Sequence, residues 1–278
     1  MPREADIERA RRLLALHDPR DPLLLPNAWD AASARLFADL GFAALATTSG
    51  GVAWSLGYAD GERAPVDEIL AATARIARAT SLPVTADLEA GYGESLDALD
   101  RTVRGALDAG VVGINLEDGV DHARLRETDA AARRIACARA AADDVGIPLV
   151  LNARVDAWIV PDLGGDAARR DETLRRARAY LEAGADCIYP IGLADPAEIR
   201  ALTSALGAPI NVGARKGLPS LRALGELGVA RVSTATRLAM VAYSAAREAA
   251  RGLREERGFD ALQAPLGYDE LQRLFDRT

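Results

Sequence analysis

Short apolar runs alternate with amphipathic stretches along most of the chain. The runs LLLPNAW (23–29), AALATTS (43–49), PVTADLE (83–89), GINLED (113–118), LVLNARVD (149–156), CIYPI (187–191), PINVGA (209–214) and ARVSTA (230–235) read as strands. Between them AASARLFADL, VDEILAATARIARAT, ALDRTVRGALDAG and DETLRRARAYLEAG carry helical periodicity. Gly41, Gly110, Gly184, Gly207 and Gly228 each stand just before a strand, where a left-handed C-terminal cap would end a helix. Alternation of this kind predicts parallel strands joined by helical crossovers. Eight such units in 278 residues predict an α/β fold, a closed (β/α)8 barrel rather than an open sheet. No linker or composition break divides the chain, so residues 1–278 are expected to form a single domain. Two parts fall outside the barrel pattern: a charged amphipathic N-terminal helix within 1–20 and a C-terminal helical extension over 236–278, expected to serve packing or oligomerisation.

Composition narrows the class. Hydrophobic residues make up 49% and charged residues 27%, the profile of a soluble globular protein. A net charge of −7 argues against a nucleic-acid binder, which would show a basic patch. No run has the length of a signal-peptide core or a membrane span, so a cytoplasmic enzyme is expected. Cys137 and Cys187 form no disulfide framework and no metal-ligand spacing, and both read as small buried side chains. Lys216 is the only lysine.

The strand ends carry the chemistry. In TADLEAGYGE (85–94), Asp87 and Glu89 stand two apart, which in a strand puts both acids on one face. Carboxylates that close repel unless a cation or a proton intervenes. Because barrel chemistry sits at the C-terminal ends of strands, the other ends matter too. The second strand leads through TTSGGVAWSLGYADG to Asp60, the fourth ends in Glu117 and Asp118, and the fifth delivers Arg154 and Asp156. Each piece alone has an ordinary explanation: a helix cap, a solvated charge, an Arg154–Asp156 salt bridge, a Ser/Gly turn. Their joint occurrence on successive strand ends favours an oxygen-lined cup for Mg²⁺ or Mn²⁺.

The ordered segments LPNAWDAASARLFADLGFAALATTSGG, SLGYADG, TADLEAGYG, GINLEDG and NARVDA strongly resemble the isocitrate lyase/phosphoenolpyruvate mutase superfamily, over about residues 20–240. They look closest to its short, single-domain branch, which includes methylisocitrate lyase, phosphonopyruvate hydrolase and oxaloacetate hydrolase. The resemblance implies that Asp87 ligates Mg²⁺ directly, while Asp60, Glu89 and Glu117 hold the metal's waters. It implies that Ser49, Gly50 and Gly51 offer donors to a substrate carboxylate or enolate oxygen, and that Arg154 binds a substrate carboxylate or phosphonate. It also implies a homo-oligomer, a dimer of dimers that exchanges the C-terminal helix between subunits. Members break or form a C–C or P–C bond beside a 2-oxo acid through an enolpyruvate-like oxyanion. A cation and aimed N–H groups lower the energy of that oxyanion more than that of the ketone.

The departures bear on the reaction. Isocitrate and methylisocitrate lyases carry a K-K-C-G-H-type loop after the N-L-E-D position, and the mutases a lysine- and asparagine-containing gate. Here the stretch is GVDHARLRETDAA, and His122 is its only residue suited to acid/base work near neutral pH. A glutamate expected after the sixth strand is replaced by YPIGL. Isocitrate and methylisocitrate lyase activities are therefore disfavoured. The leading expectation is a Mg²⁺-dependent lyase or hydrolase cleaving a C–C bond in a small 2-oxo or 2-hydroxy dicarboxylic acid. The alternatives are a P–C bond enzyme using the same cup, a Schiff-base aldolase using Lys216, and a metal-binding site without turnover.

Overall fold

Each of the eight apolar runs contains a strand in the computed structural model, which describes residues 4–121, 123–256 and 258–276. Strand β1 is Leu23–Leu25 continued as Asn27–Ala28, followed by β2 (Leu45–Thr47), β3 (Val84–Asp87), β4 (Gly113–Glu117), β5 (Val150–Val155), β6 (Cys187–Pro190), β7 (Asn211–Gly213) and β8 (Arg231–Ser233). Neighbours pair in parallel around the ring from β2 through β6, and again between β7 and β8. Two local features close it. Pro26 has no N–H to give a ladder, and β1 changes neighbour there: Leu23–Leu25 pairs with β8, Asn27–Ala28 with β2. A parallel bridge between Ile188 and Ile210 joins β6 to β7.

The crossover helices follow from their apolar spacing. Val66–Arg78 buries Ile69, Ala72, Thr73, Ile76 and Ala77, and Leu96–Asp108 buries Leu99, Thr102, Val103, Ala106 and Leu107. Positions i, i+3, i+4, i+7 and i+8 make one stripe, which lies against the strands. Caps fix where these helices begin: Asp30 accepts from Ser33 N at 2.7 Å, and Asp195 accepts from Ala197 N and Glu198 N ahead of a first-turn Pro196. The five glycines expected to end helices all adopt positive φ.

The N-terminal helix Glu4–Ala15 covers the N-terminal end of the barrel. Leu13 is fully buried, and a Cβ built at Gly113, the first residue of β4, would lie 2.9 Å from its Cδ2. At the other end of the chain, Arg237–Glu256 leaves β8 with Met240, Val241 and Tyr243 exposed. The final helix, Tyr268–Asp276, folds back onto Ala31–Asp39, burying Leu274, whose carbonyl accepts from Arg35 Nη1 at 3.1 Å. No described helix is long and apolar enough to cross a membrane.

Leu13→Ala should cost about 2–5 kcal/mol of unfolding free energy, the usual range for emptying a tightly packed leucine site. Urea denaturation measures it. A loss below about 0.5 kcal/mol, the range of an ordinary surface substitution, would show that this helix does not seal the barrel.

Candidate functional site

The side chains at the strand C-termini converge on one mouth. Thr48 caps the helix Ser49–Leu56, and the first N–H of that helix, from Ser49, points at Asp87 Oδ2 at 3.3 Å. Asp87 ends β3, its own N–H held by Thr47 Oγ1 at 3.0 Å. Asp60 lies beside the same helix start and accepts from the Ser49 hydroxyl. A Cβ at Gly50 would come within 2.9 Å of Asp60 Oδ2 and 2.8 Å of Thr236 Cγ2, so only glycine lets the carboxylate approach this backbone. Burial, then the charge on Asp87, push the Asp60 carboxyl above its usual range.

Glu89 corrects one expectation. The strand stops at Asp87, and Glu89 sits beyond it at φ +50°, so the shared-face argument for a strand pair does not apply to it. Its carboxylate is nevertheless brought to the mouth by a reciprocal clamp. Glu89 Oε2 accepts from Glu62 N at 2.9 Å, Tyr92 N donates to Glu62 Oε1 at 2.7 Å, and Tyr92 OH donates to Glu89 Oε1 at 2.8 Å. Glu62, Glu89 and Tyr92 all have positive φ, a strain that persists only where surrounding contacts over-determine it. The clamp ties the Asp60 loop to the end of β3. Burial pushes Glu89 up to about 7, with Asp87 and Asp60 adding to the rise.

Glu117 and Asp118 divide their roles by strand alternation. Glu117 faces the mouth and pairs with Arg154. Burial, with Asp156, Asp87 and Glu89 nearby, pushes its carboxyl upward against that pairing. Asp118 faces the other way as a buried anchor. It accepts from Asp156 N at 2.9 Å, Arg176 Nη1 at 3.1 Å and Tyr180 OH at 2.6 Å. Arg154 is bidentate to Asp156, at 2.7 and 2.9 Å, as well as paired with Glu117. The salt bridge read from the sequence is therefore present. The hydrogen bonds to Asp156 take two of the guanidinium's five N–H groups. Glu117 adds a charge pairing in which its Oε2 makes no hydrogen bond, so part of the guanidinium edge is left for a ligand.

Ser49, Asp60, Asp87 and Arg154 line one cavity of about 220 Å³, whose floor and wall are Asn27, Asn115, Tyr189 and Ser233. An outer chamber of about 410 Å³ continues from Asp60 to Glu89, Glu117 and the hairpin Gly119–Val120/Arg124–Leu125. A larger cavity of about 900 Å³, bordered by His17, Arg20 and Arg222, opens beside Ala230 and Pro209, at the strand N-termini and away from these acids. Gly51 extends the first turn of the helix, its N–H turned to Thr48 Oγ1.

Lys216, Cys187 and Cys137 lie away from the mouth. His122 falls outside the described residues. Lys216 is exposed in the turn after β7 and does not line the cavity, which removes the observation behind a Schiff-base reading. Cys187 is inside the barrel, where burial pushes its thiol up to about 12. Cys137 is only half-buried, on the helix Thr128–Val145 with its thiol against Leu96 O. Asn115 and Tyr189 were missed by sequence reasoning. The alternation that flags Glu117 also places Asn115, two residues earlier, on the same inner face.

The donor set suits a hard divalent cation. Among the described residues acids outnumber arginines at the mouth, and burial with neighbouring acids pushes the Asp60, Glu89 and Glu117 carboxyls upward. Among the described residues no three acids, histidines or cysteines stand close enough to chelate an ion by themselves. A cation here would touch one carboxylate and reach the others through water.

A family model described as phosphoenolpyruvate phosphomutase matches residues 13–254. The chain belongs to that family. An uncharacterised protein of Mycobacterium tuberculosis is 35% identical over 94% of this chain and 95% of its own length. The 2-methylisocitrate lyase of Escherichia coli is 32% identical over 71% of this chain and 70% of its own. Among solved structures, oxaloacetate acetylhydrolase in complex with the product oxalate superposes with a TM-score of 0.85 at 26% identity, covering 96% of this chain and 94% of that one. The protein is thus an enzyme of the isocitrate lyase/phosphoenolpyruvate mutase superfamily, related to carbon–carbon lyases.

A carboxyl whose pKa is raised on folding lends stability that is complete below its unfolded value and lost as pH climbs through the folded one. For Glu89 that window runs from 4.5 to about 7. His17, lowered from 6.5 to about 4 by burial and the neighbouring Arg231, acts oppositely until pH is well above 6.5, so it offsets only part of the Glu89 loss there and little of it at higher pH. In chelator-treated protein the urea midpoint should therefore fall as pH rises from about 6.5 to 8, and Glu89→Gln should flatten the fall. A midpoint that rises over this range would contradict the buried-acid account.

Proposed function

We propose that the protein is a Mg²⁺-dependent (or Mn²⁺-dependent) lyase or hydrolase that cleaves a C–C bond in a small 2-oxo or 2-hydroxy dicarboxylic acid through an enolpyruvate-like oxyanion. One observation carries this reading: the helix start at Ser49 and the Asp87 carboxylate meet in the same cavity as an arginine with unspent N–H groups. Asp87 would hold the cation, with Asp60, Glu89 and Glu117 holding its waters. Bound there, the cation supplies Lewis acidity and a template for the substrate's oxygens.

The chain's own groups do the rest. The first turn at Ser49, Gly50 and Gly51 carries the positive end of the helix. The Ser49 and Gly51 N–H groups are turned to Asp87 and Thr48, so the field of that turn and the Gly50 N–H orient a carboxylate or the developing oxyanion. Arg154 is fixed by Asp156 and Glu117, so it presents its remaining donors to a second anionic group without paying to order its side chain. Neither described cysteine lies at the mouth, which disfavours isocitrate or methylisocitrate cleavage by a loop thiol. A P–C bond substrate is the second reading, favoured by the family model's own description. The reading includes a cytoplasmic homo-oligomer, a dimer of dimers exchanging Arg237–Glu256; the exposed Met240, Val241 and Tyr243 on that helix support its association with another chain.

Turnover of small oxo, hydroxy and phosphono acids, scored as pyruvate, glyoxylate or phosphate release with Mg²⁺ and with EDTA, tests the reading. Chelator-sensitive release from a dicarboxylate is expected; release of phosphate would move the assignment to P–C chemistry. Glu89→Ala should lower activity about 10- to 100-fold, as for residues that orient a metal's ligands, and Asp87→Ala substantially more. Equal and negligible effects would sink the metal assignment.

A further inference from the structure

Among the described residues Arg231 is the largest fully buried side chain, and it has no acidic partner there. It projects from β8 into the barrel interior, and its Nε and Nη1 are buried without hydrogen bonds. A buried guanidinium held so poorly costs stability unless its one contact matters. That contact crosses the barrel: Arg231 Nη2 donates to Asn115 Oδ1 on β4 at 3.3 Å. Asn152 Nδ2, on β5, donates to the same oxygen at 2.7 Å.

A guanidinium has only donors. The end of the Asn115 amide that faces Arg231 must therefore be the oxygen, and the NH₂ must face the other way. The other way is the mouth. Asn115 lines the cavity with Ser49, Asp87 and Arg154, and it pairs directly with Asp87 across the β3–β4 register. Its Nδ2 has no protein partner among the described residues, yet it is not among the sealed polar atoms, so it is open to the cavity.

We infer that Asn115 is a further substrate-binding residue, whose Nδ2 donates to an anionic oxygen of the bound ligand, and that Arg231 is the positioning residue that holds its amide in the donating orientation. The assignment rests on the function proposed above and deepens it. The cavity then meets an anion from three directions: the positive field of the helix start at Ser49, the free edge of Arg154, and the amide of Asn115. A neutral amide suits this position, because it adds no charge where the acids and a cation must balance. A fixed amide also loses no entropy on binding.

Oxalate, a planar mimic of an enolpyruvate, is the probe. Titration calorimetry with the full chain measures oxalate binding in saturating Mg²⁺ and, separately, Mg²⁺ binding without oxalate. Asn115→Ser should weaken oxalate about 10- to 100-fold, the worth of a hydrogen bond to a charged group, and leave Mg²⁺ affinity within about twofold. Arg231→Gln replaces a donor-only group with one that also accepts, so the amide can turn. It should weaken oxalate similarly, and the double variant should be little worse than Asn115→Ser alone. Wild-type oxalate affinity in Asn115→Ser overturns the donor assignment, and this variant decides it even where Arg231→Gln does not fold. Fully additive losses overturn the positioning role, since a change in overall field would persist without the Asn115 amide. Absence of any Mg²⁺-dependent oxalate binding by the unmodified protein would overturn the metal–enolate reading together with this assignment.

Discussion

Asp60, Asp87, Glu89, Glu117 and Asp156 stand around one barrel mouth, and among the described residues the guanidinium of Arg154 is the cation ion-paired with two of them, Glu117 and Asp156. Carboxylates cannot be gathered and partly buried in this way without raising their affinity for protons or for a cation. The structure resolves the imbalance locally where it can. Asp156 and Glu117 take Arg154 between them, and Asp118, one residue from Glu117, is turned away to Arg176 and Tyr180. What remains, centred on Asp87 with Asp60 and Glu89 beside it, is the unneutralised part. It is also the part that the helix start at Ser49 approaches.

Holding such a cluster requires a rigid surround. The (β/α)8 ring supplies the coarse positions, because each acid hangs from a strand end fixed by its neighbours' ladders. Finer placement comes from contacts between loops. Three residues in left-handed backbone, Glu62, Glu89 and Tyr92, close a reciprocal set of hydrogen bonds that fastens the Asp60 loop to the turn after β3. Strain of this kind at the mouth of a barrel is the usual signature of a site whose geometry matters more than its stability. Beneath it, the cross-barrel contact from Arg231 to Asn115 fixes which atom of an amide the cavity sees.

The fold was legible because its signals are short-range. Apolar runs of strand length, helical stripes and a glycine before five of the strands repeat often enough to imply the ring, and every run contains its strand. The acids were legible for the same reason, since strand ends point to the rim. Glu89 was placed correctly but for a reason the backbone does not support. A positive φ after Leu88, followed by Gly91 and Gly93, ends the strand early, and only the partners Glu62 and Tyr92 return the carboxylate to the mouth. Asn115 and Arg231 lie 116 residues apart, so no periodicity couples them. Arg231, in the run ARVSTA, reads locally as an ordinary strand residue, and only barrel closure brings it across to β4. The reaction's substrate was least legible, because the stretch 118–131, which lacks the loop residues the family resemblance implies, carries no repeating pattern.

The most direct test of the central claim, that these acids together hold one divalent cation for an oxyanion, is anomalous diffraction from crystals grown with Mn²⁺ and oxalate. The account requires one strong peak at the mouth, in contact with Asp87 and with oxalate, and separated from Asp60, Glu89 and Glu117 by water. A peak ligated directly by several of these carboxylates with oxalate elsewhere, or no peak at the mouth at all, would contradict it.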